Sequence, residues 1–197
     1  MLFRAQVSAC SHSRQQEDWL KRQPVAERRG ELETGYNQWL NRMGQAGTLP
    51  FPGPAYVMLH SLSHALMVEI ALDCGYPASS LKERVYALEG IAGEPPRHGI
   101  LIYTASSGSQ GTLGGLVELA PQIGRIFSSA LDRIRLCSND PICSDHSPGR
   151  FTDDRALHGA ACHGCLFVAE TSCEMRNQLL DRSLLIRTMG GKDSNFF

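Results

Sequence analysis

At 197 residues the chain is long enough to bury a hydrophobic core, as one domain or one domain with an appendage. A hydrophobic fraction of 42% argues against both disorder throughout and a membrane span. A net charge of -1 with pI near 6.6 leaves no chain-wide electrostatic footprint for nucleic acid, so any DNA contact has to come from a local patch.

Residues 1 to 45 are polar, with QQEDWLKRQ and AERRGELETGYNQWLNRMG pairing charges at helical spacing without a strong apolar stripe. They read as peripheral helices or as an arm for a partner. The first residues hold no apolar run that can serve as a signal-peptide core, so the expected compartment is the reducing cytoplasm. GTLPFPGPAY, from Gly47 to Tyr56, carries three prolines and two glycines and predicts an extended connector and a soft boundary.

From Val57 to Leu72 the apolar residues Met58, Leu59, Leu62, Ala65, Leu66, Ile70 and Leu72 recur at three- and four-residue steps, which predicts one helix with a broad buried face. Gly75, free to take a left-handed cap, and Pro77 end it. Ser79 or Ser80 reads as the N-cap of a shorter helix through LKERVYAL. Glu94-Pro95-Pro96 turns the chain, and the compact apolar run from Gly99 to Thr104 predicts a central strand. SSGSQGTLGGLVELA is a glycine-rich loop passing into a helix. Ile123, Ile126, Phe127, Ala130, Leu131 and Ile134 then mark an amphipathic helix that delivers the chain to Cys137. Gly159 to Val168 and Glu174 to Ile186 read as two further helices. The expected class is α+β, mostly helical with a small central sheet and a cysteine-rich C-terminal third.

The chemistry concentrates in the last third. Five of the seven cysteines form Cys137-x5-Cys143, then Cys162-His163-Gly164-Cys165, then Cys173. Zinc takes four tetrahedral ligands, and a Cys-x2-Cys knuckle aims two sulfurs from one tight turn at one ion. The eighteen residues between Cys143 and Cys162 suit two ligand pairs converging on one metal. The first pair is more widely spaced than in the commonest zinc ribbons, but Pro141 after Asn139-Asp140 supplies a chain reversal. Four ligands are needed and five cysteines are offered, so one is spare. His146, His158 and His163 lie near enough in sequence to leave a three-cysteine, one-histidine set open. Cys10 and Cys74 read as structural or surface thiols.

Catalytic patterns are incomplete. His60 and His64 stand at i and i+4, as in His-Glu-x-x-His zinc hydrolases, but Ser61 occupies the glutamate position. Both histidines therefore read as core or interface residues satisfied by hydrogen bonds. The loop Gly108 to Gly115 lacks the lysine of a phosphate-binding loop, so no ATPase is expected, and Ser109 is not in a Gly-x-Ser-x-Gly elbow. Arg125, Arg133 and Arg135 form a candidate DNA patch, and Asp132 among them equally suits a balanced solvated face. Two function classes follow: a non-catalytic zinc-stabilised module, or a metal-dependent hydrolase or nuclease with an open zinc.

The segments HSLSHALMVEIALDCGYPASSLKERVY, GILIYTASSGSQGTLGGLV, CSNDPIC and HGAACHGCLFVAETSCEMRNQLLDR resemble the zinc-binding domain at the C-terminal end of MrfA-type superfamily-two helicases. They resemble more closely the DrmB family of the DISARM antiphage system, over roughly residues 55 to 187. The resemblance implies zinc held by Cys137, Cys143, Cys162 and Cys165, with Cys173 as reserve ligand and no catalytic residue. It implies a helicase-associated zinc-binding domain over 51–190; outside it, the polar composition of 1–50 reads as a helical arm or partner-binding segment and 191–197 as a tail. The implied partner is a superfamily-two helicase or defence-complex subunit, with DNA reached through it. Asn177, Asp181 and Arg182 match a family signature, read here as structural. The chain departs from the family in lacking an acid at Tyr103-Thr104-Ala105 and in carrying none of the helicase motor's nucleotide-binding motifs.

Overall fold

The computed structural model describes residues 9–75, 77–88, 96–104, 116, 118–150, 154–191 and 193–197, with the backbone alone over 9–14 and at 154. The architecture is α+β: helices α1 (Ala9–Leu20), α2 (Gln23–Arg42), α3 (Gly53–Cys74) and α4 (Ile123–Arg133), and an antiparallel pair β1 (Leu81–Leu88) and β2 (Arg97–Thr104). Beyond α4 the described residues form turns and short 3-10 segments.

Helix α3 is the axis of the core. Val57, Met58, Leu62, Ala65, Leu66, Met67 and Ile70 are buried, and so are His60, Ser61, Ser63 and His64. A helix without a solvated face has to sit inside. By length and composition α3 is apolar enough to cross a membrane, yet 67% of that stretch is buried within the protein. The helix starts earlier than the prolines suggested, because Pro54 in the first turn gives up an N–H that has no helical acceptor. It ends at Gly75, with φ 67° and its N–H on the Ala71 and Leu72 carbonyls.

The segment LKERVYAL, expected as a helix, is strand β1, with Leu81 opposite Thr104 and Val85 opposite Ile100. Leu81 and Glu83 face inward while Arg84 is exposed, so one inward position carries an acid. The strand expected from Gly99 begins two residues earlier, at Arg97. The glycine-rich loop Ser106 to Gly115 lies outside the described residues. Helix α4 buries Ile126 and Ala130 against the core, and Ile134 continues that face toward Cys137.

The stretches Gly159 to Val168 and Glu174 to Ile186, expected as helices, are turns and 3-10 segments. Arg176, Asn177 and Leu179 have φ values of 51°, 61° and 58°, a left-handed run that no right-handed helix contains. Polar side chains organise this backbone in place of helical ladders. Asn177 brackets Val168, its Oδ1 accepting from the backbone N–H at 3.0 Å and its Nδ2 donating to the carbonyl at 2.9 Å. Asp181 is fully buried and accepts from Arg28 Nε at 2.6 Å, Ala160 N at 3.1 Å and Ser183 N at 2.9 Å.

Helix α2 contributes Val25, Leu32, Tyr36 and Leu40 to the core. It lies against the 3-10 segments Pro148–Arg150 and Asp154–Leu157. Gly35 makes this approach possible, since a Cβ there would run into the Ala156 carbonyl and the Pro148 ring. We expect Gly35→Ala to destabilise the fold by about 1–3 kcal/mol, the usual effect of overpacking, as a lowered urea midpoint. An unchanged midpoint would show that α2 is free to lift away. The C-terminal end is tied to α1, with Trp19 Nε1 donating to Ser194 O at 2.8 Å and the Trp19 and Phe196 rings meeting edge-on.

Candidate metal centre

Helix α4 ends at Arg133, and Ile134 anchors the next turn in the core, so Cys137 leaves a rigid support. Arg133 fastens that end to α3 and the knuckle at once, through Glu69 Oε1 at 2.8 Å, Ala65 O at 3.3 Å and Cys165 O at 3.0 Å. The chain then reverses, with Asp140 N donating to Cys137 O and Cys143 N to Asn139 O, each at 2.9 Å. The wide spacing of the first pair is taken up in this turn. Cys162 to Phe167 form the knuckle, where the N–H groups of Cys165, Leu166 and Phe167 all point at Cys162 O.

The structure brings Cys137, Cys143, Cys162 and Cys165 together, with all four sulfurs within 4.8 Å of one another. Cys137 and Cys162 sulfurs are 3.3 Å apart, Cys143 and Cys165 3.8 Å, and Cys162 and Cys165 3.8 Å. A tetrahedron with zinc–sulfur bonds of about 2.3 Å has an edge of about 3.8 Å, so the donors already stand at metal-site spacing. These cysteines are free thiols, which excludes a disulfide framework here.

Donors around the sulfurs favour thiolates. Asn139 N reaches Cys137 Sγ at 3.4 Å, and Gly164 N and Asn139 Nδ2 each reach Cys162 Sγ at 3.3 Å. Burial opposes ionisation of Cys162, but hydrogen bonds from Asn139, Cys137 and Gly164 outweigh it and bring the thiol down to about 7. Burial pushes Cys137 up to about 11, and the contact with Cys165 followed by burial raises Cys143 further. Four crowded thiols resist shedding four protons, and a coordinated divalent ion removes that resistance. Arg182 adds a fixed positive charge. It is buried, donates to Ile134 O at 2.9 Å and pairs with Asp140. Burial would lower its pKa, but Asp140 and the sulfurs of Cys143 and Cys165 raise it overall.

The nearby histidines are engaged elsewhere. His146 Nε2 bonds Arg155 O at 2.8 Å, His158 stacks on His146, and His163 packs edge-on against Phe167. Among the described residues the sulfur cluster contains no imidazole. Gly164 gives the knuckle its room, since a Cβ there would press on Ser138 Oγ and, at 3.2 Å, on Cys137 Sγ.

The fifth cysteine of the run is not beside the other four. Cys173 stands with His60, His64 and Glu83, all four donors again within 4.8 Å of one another. The two histidines are hydrogen-bonded and buried as expected, but their partners include a thiol and a carboxylate that sequence spacing did not connect to them. Burial works against charge here. Even so, His60 and His64 pull Glu83 down to about 2, and Cys173 with Glu83 pushes His60 up to about 9.

The candidate arginine patch is internally neutralised. Arg125 pairs with Asp73, Arg133 with Glu69 and Arg135 with Asp132. That pattern matches the balanced-face reading rather than an open phosphate grip.

Comparison with known proteins agrees with the chemistry of the cysteine cluster. A curated relative, the DISARM protein DrmB of Bacillus paralicheniformis, is 43% identical over 144 residues. The match covers 72% of this chain and 24% of the relative, so the chain spans about a quarter of that protein's length. Residues 62–166, which hold α4, both cysteine pairs and most of α3, match the MrfA Zn-binding domain, and the chain belongs to that family.

Proposed function

We propose that Cys137, Cys143, Cys162 and Cys165 together hold one structural zinc ion. We further propose that the chain is a non-catalytic module working beside a superfamily-two helicase on DNA, in antiphage defence or DNA repair in the cytoplasm. The observation that carries this reading is the convergence of four free thiols at tetrahedral edge spacing, with backbone N–H groups on two of them. A catalytic zinc keeps one coordination position for water, whereas four thiolates leave none, which supports a structural role over a hydrolase or nuclease. The relationship to DISARM protein DrmB supports a place in a defence complex. Zinc here supplies cross-linking of α4, the turn after it and the knuckle.

The partner reading is tested by affinity purification of the tagged chain from its native cell. A superfamily-two helicase that co-elutes in stoichiometric amount is expected, and a chain that elutes alone and cleaves DNA with added zinc overturns it. Because the described arginines near the cluster are already paired with acids, the isolated chain should bind single-stranded DNA weakly in fluorescence anisotropy. Tight binding that falls steeply with salt would move the DNA contact onto this chain.

A further inference from the structure

We infer that the chain carries a second, separate zinc site built from His60 and His64 of α3, Glu83 of β1 and Cys173 of the C-terminal segment. Two of these donors, His60 and Cys173, lie outside the stretch that matches the zinc-binding family.

The orientation of the imidazoles is the first ground. His64 Nδ1 lies 2.8 Å from Leu166 O and His60 Nδ1 3.2 Å from Leu179 O. A carbonyl only accepts, so each Nδ1 carries its proton, and in a neutral ring each Nε2 turns a bare lone pair inward. Both lone pairs meet acceptors: Glu83 Oε1 lies 2.8 Å from His60 Nε2 and 3.1 Å from His64 Nε2, and Cys173 Sγ lies 3.2 Å from His60 Nε2. Donors crowded this closely need positive charge among them, supplied either by protons on the imidazoles or by one cation that all four donors share. A backbone carbonyl on the far nitrogen is the support that metal-bound histidines normally have.

The anionic donors are supported in the same way. Cys173 Sγ receives the N–H groups of Met175 and Asn177, both at 3.3 Å, the pattern seen at the knuckle sulfurs. Ser63 Oγ holds the other oxygen of Glu83. This accounts for an acid at an inward position of β1, where the strand pattern calls for an apolar residue.

Burial and charge select the ion. His60 and His64 are 0% exposed, Glu83 2% and Cys173 7%, so water cannot neutralise the cluster. One thiolate and one carboxylate cancel the charge of one divalent cation, leaving a neutral site that a dry interior tolerates. Two imidazoles, one thiolate and one carboxylate form a nitrogen-, sulfur- and oxygen-donor set that suits tetrahedral zinc. With four protein ligands the site is closed, and its role is to clamp α3, β1 and the C-terminal segment together.

Metal analysis of the chain purified without added metal or chelator, with zinc X-ray absorption on the same sample, tests this. Two zinc ions per chain are expected, one for each donor set, with nitrogen and oxygen alongside sulfur in the average first shell. Cys173→Ala should retain one zinc in an all-sulfur shell. A wild-type chain with one zinc in an all-sulfur shell overturns the inference without any variant having to fold, as does Cys173→Ala still holding two. One zinc bound by imidazole, oxygen and a single sulfur would instead support this site and refute the four-thiolate reading.

Discussion

Cys162→Ser and Cys165→Ser are each expected to lose the zinc of the sulfur cluster and to lower the melting temperature sharply. A serine hydroxyl stays protonated near neutral pH and is a poor zinc donor, so either change leaves three sulfurs where four converge. Metal binding and folding are one free energy here, because the unfolded chain does not hold the four sulfurs together. Apparent zinc affinities of about 10–16 kcal/mol in small zinc domains rival the whole stability of an ordinary domain, so a large part of the fold's margin rests on the cluster. The loss should be cooperative. Cys137 follows α4, Cys143 closes the turn, and the knuckle touches α3 through Arg133, so freeing one sulfur loosens three segments. Cys74→Ser, at the end of α3 outside both donor clusters, should change neither zinc content nor melting. Unchanged zinc content and melting in Cys162→Ser would refute the assignment of this residue as a ligand.

Asp181→Ala should destabilise the fold by about 3–5 kcal/mol, the usual consequence of removing one partner from a buried ion pair. Arg28 is 1% exposed and Asp181 0%, so water does not take over the released charge. The aspartate also accepts from Ala160 N, Ser183 N and Ser183 Oγ, and these donors would be stranded with it. Gly159 has no Cβ because one would strike both the Asp181 carboxylate and the Arg28 guanidinium. The pH dependence has a definite sign. Burial raises the Asp181 pKa, but Arg28 and then Ser183 outweigh it, so the folded-state value lies below the ordinary carboxylate value. Its stabilisation is therefore complete above the unfolded-state pKa and is lost as pH falls through the folded value. Urea unfolding at neutral pH measures the difference between wild type and variant. A loss under about 1 kcal/mol, typical of an exposed pair, would mean the pair is solvated in solution.

The sequence made the regular elements around the core legible where periodicity was unambiguous. Helices α3 and α4 follow from three- and four-residue apolar steps, and β2 from a short apolar run between turn residues. Strand β1 was hidden because Glu83 occupies an inward position, which breaks the apolar alternation that marks a strand. The reason for that acid lies on another element, with His60 and His64, and no local pattern contains it. The last third misleads in a related way. Its leucines and isoleucines fall at helix-like spacing, yet they are buried by loops whose backbone is satisfied by Asn177, Asp181 and Arg182. Such side-chain hubs have no period to read.

The cysteine cluster was legible because its chemistry is local: a knuckle plus a pair at suitable distance. Cys173 was not. Its nearness to the knuckle in sequence suggested a spare ligand, while its position in space is set by the left-handed turn through Arg176 and Asn177 and by the path of α3. The Ser61 that stands where a zinc hydrolase has its glutamate accepts Asp181 N at 2.7 Å. It is a positioning residue for the Arg28–Asp181 pair.

Zinc X-ray absorption on the purified chain tests the central claim, a closed structural zinc site at Cys137, Cys143, Cys162 and Cys165, most directly. The expected spectrum is dominated by sulfur at about 2.3 Å with no exchangeable water in the first shell. A shell dominated by nitrogen and oxygen, with a bound water, would contradict it.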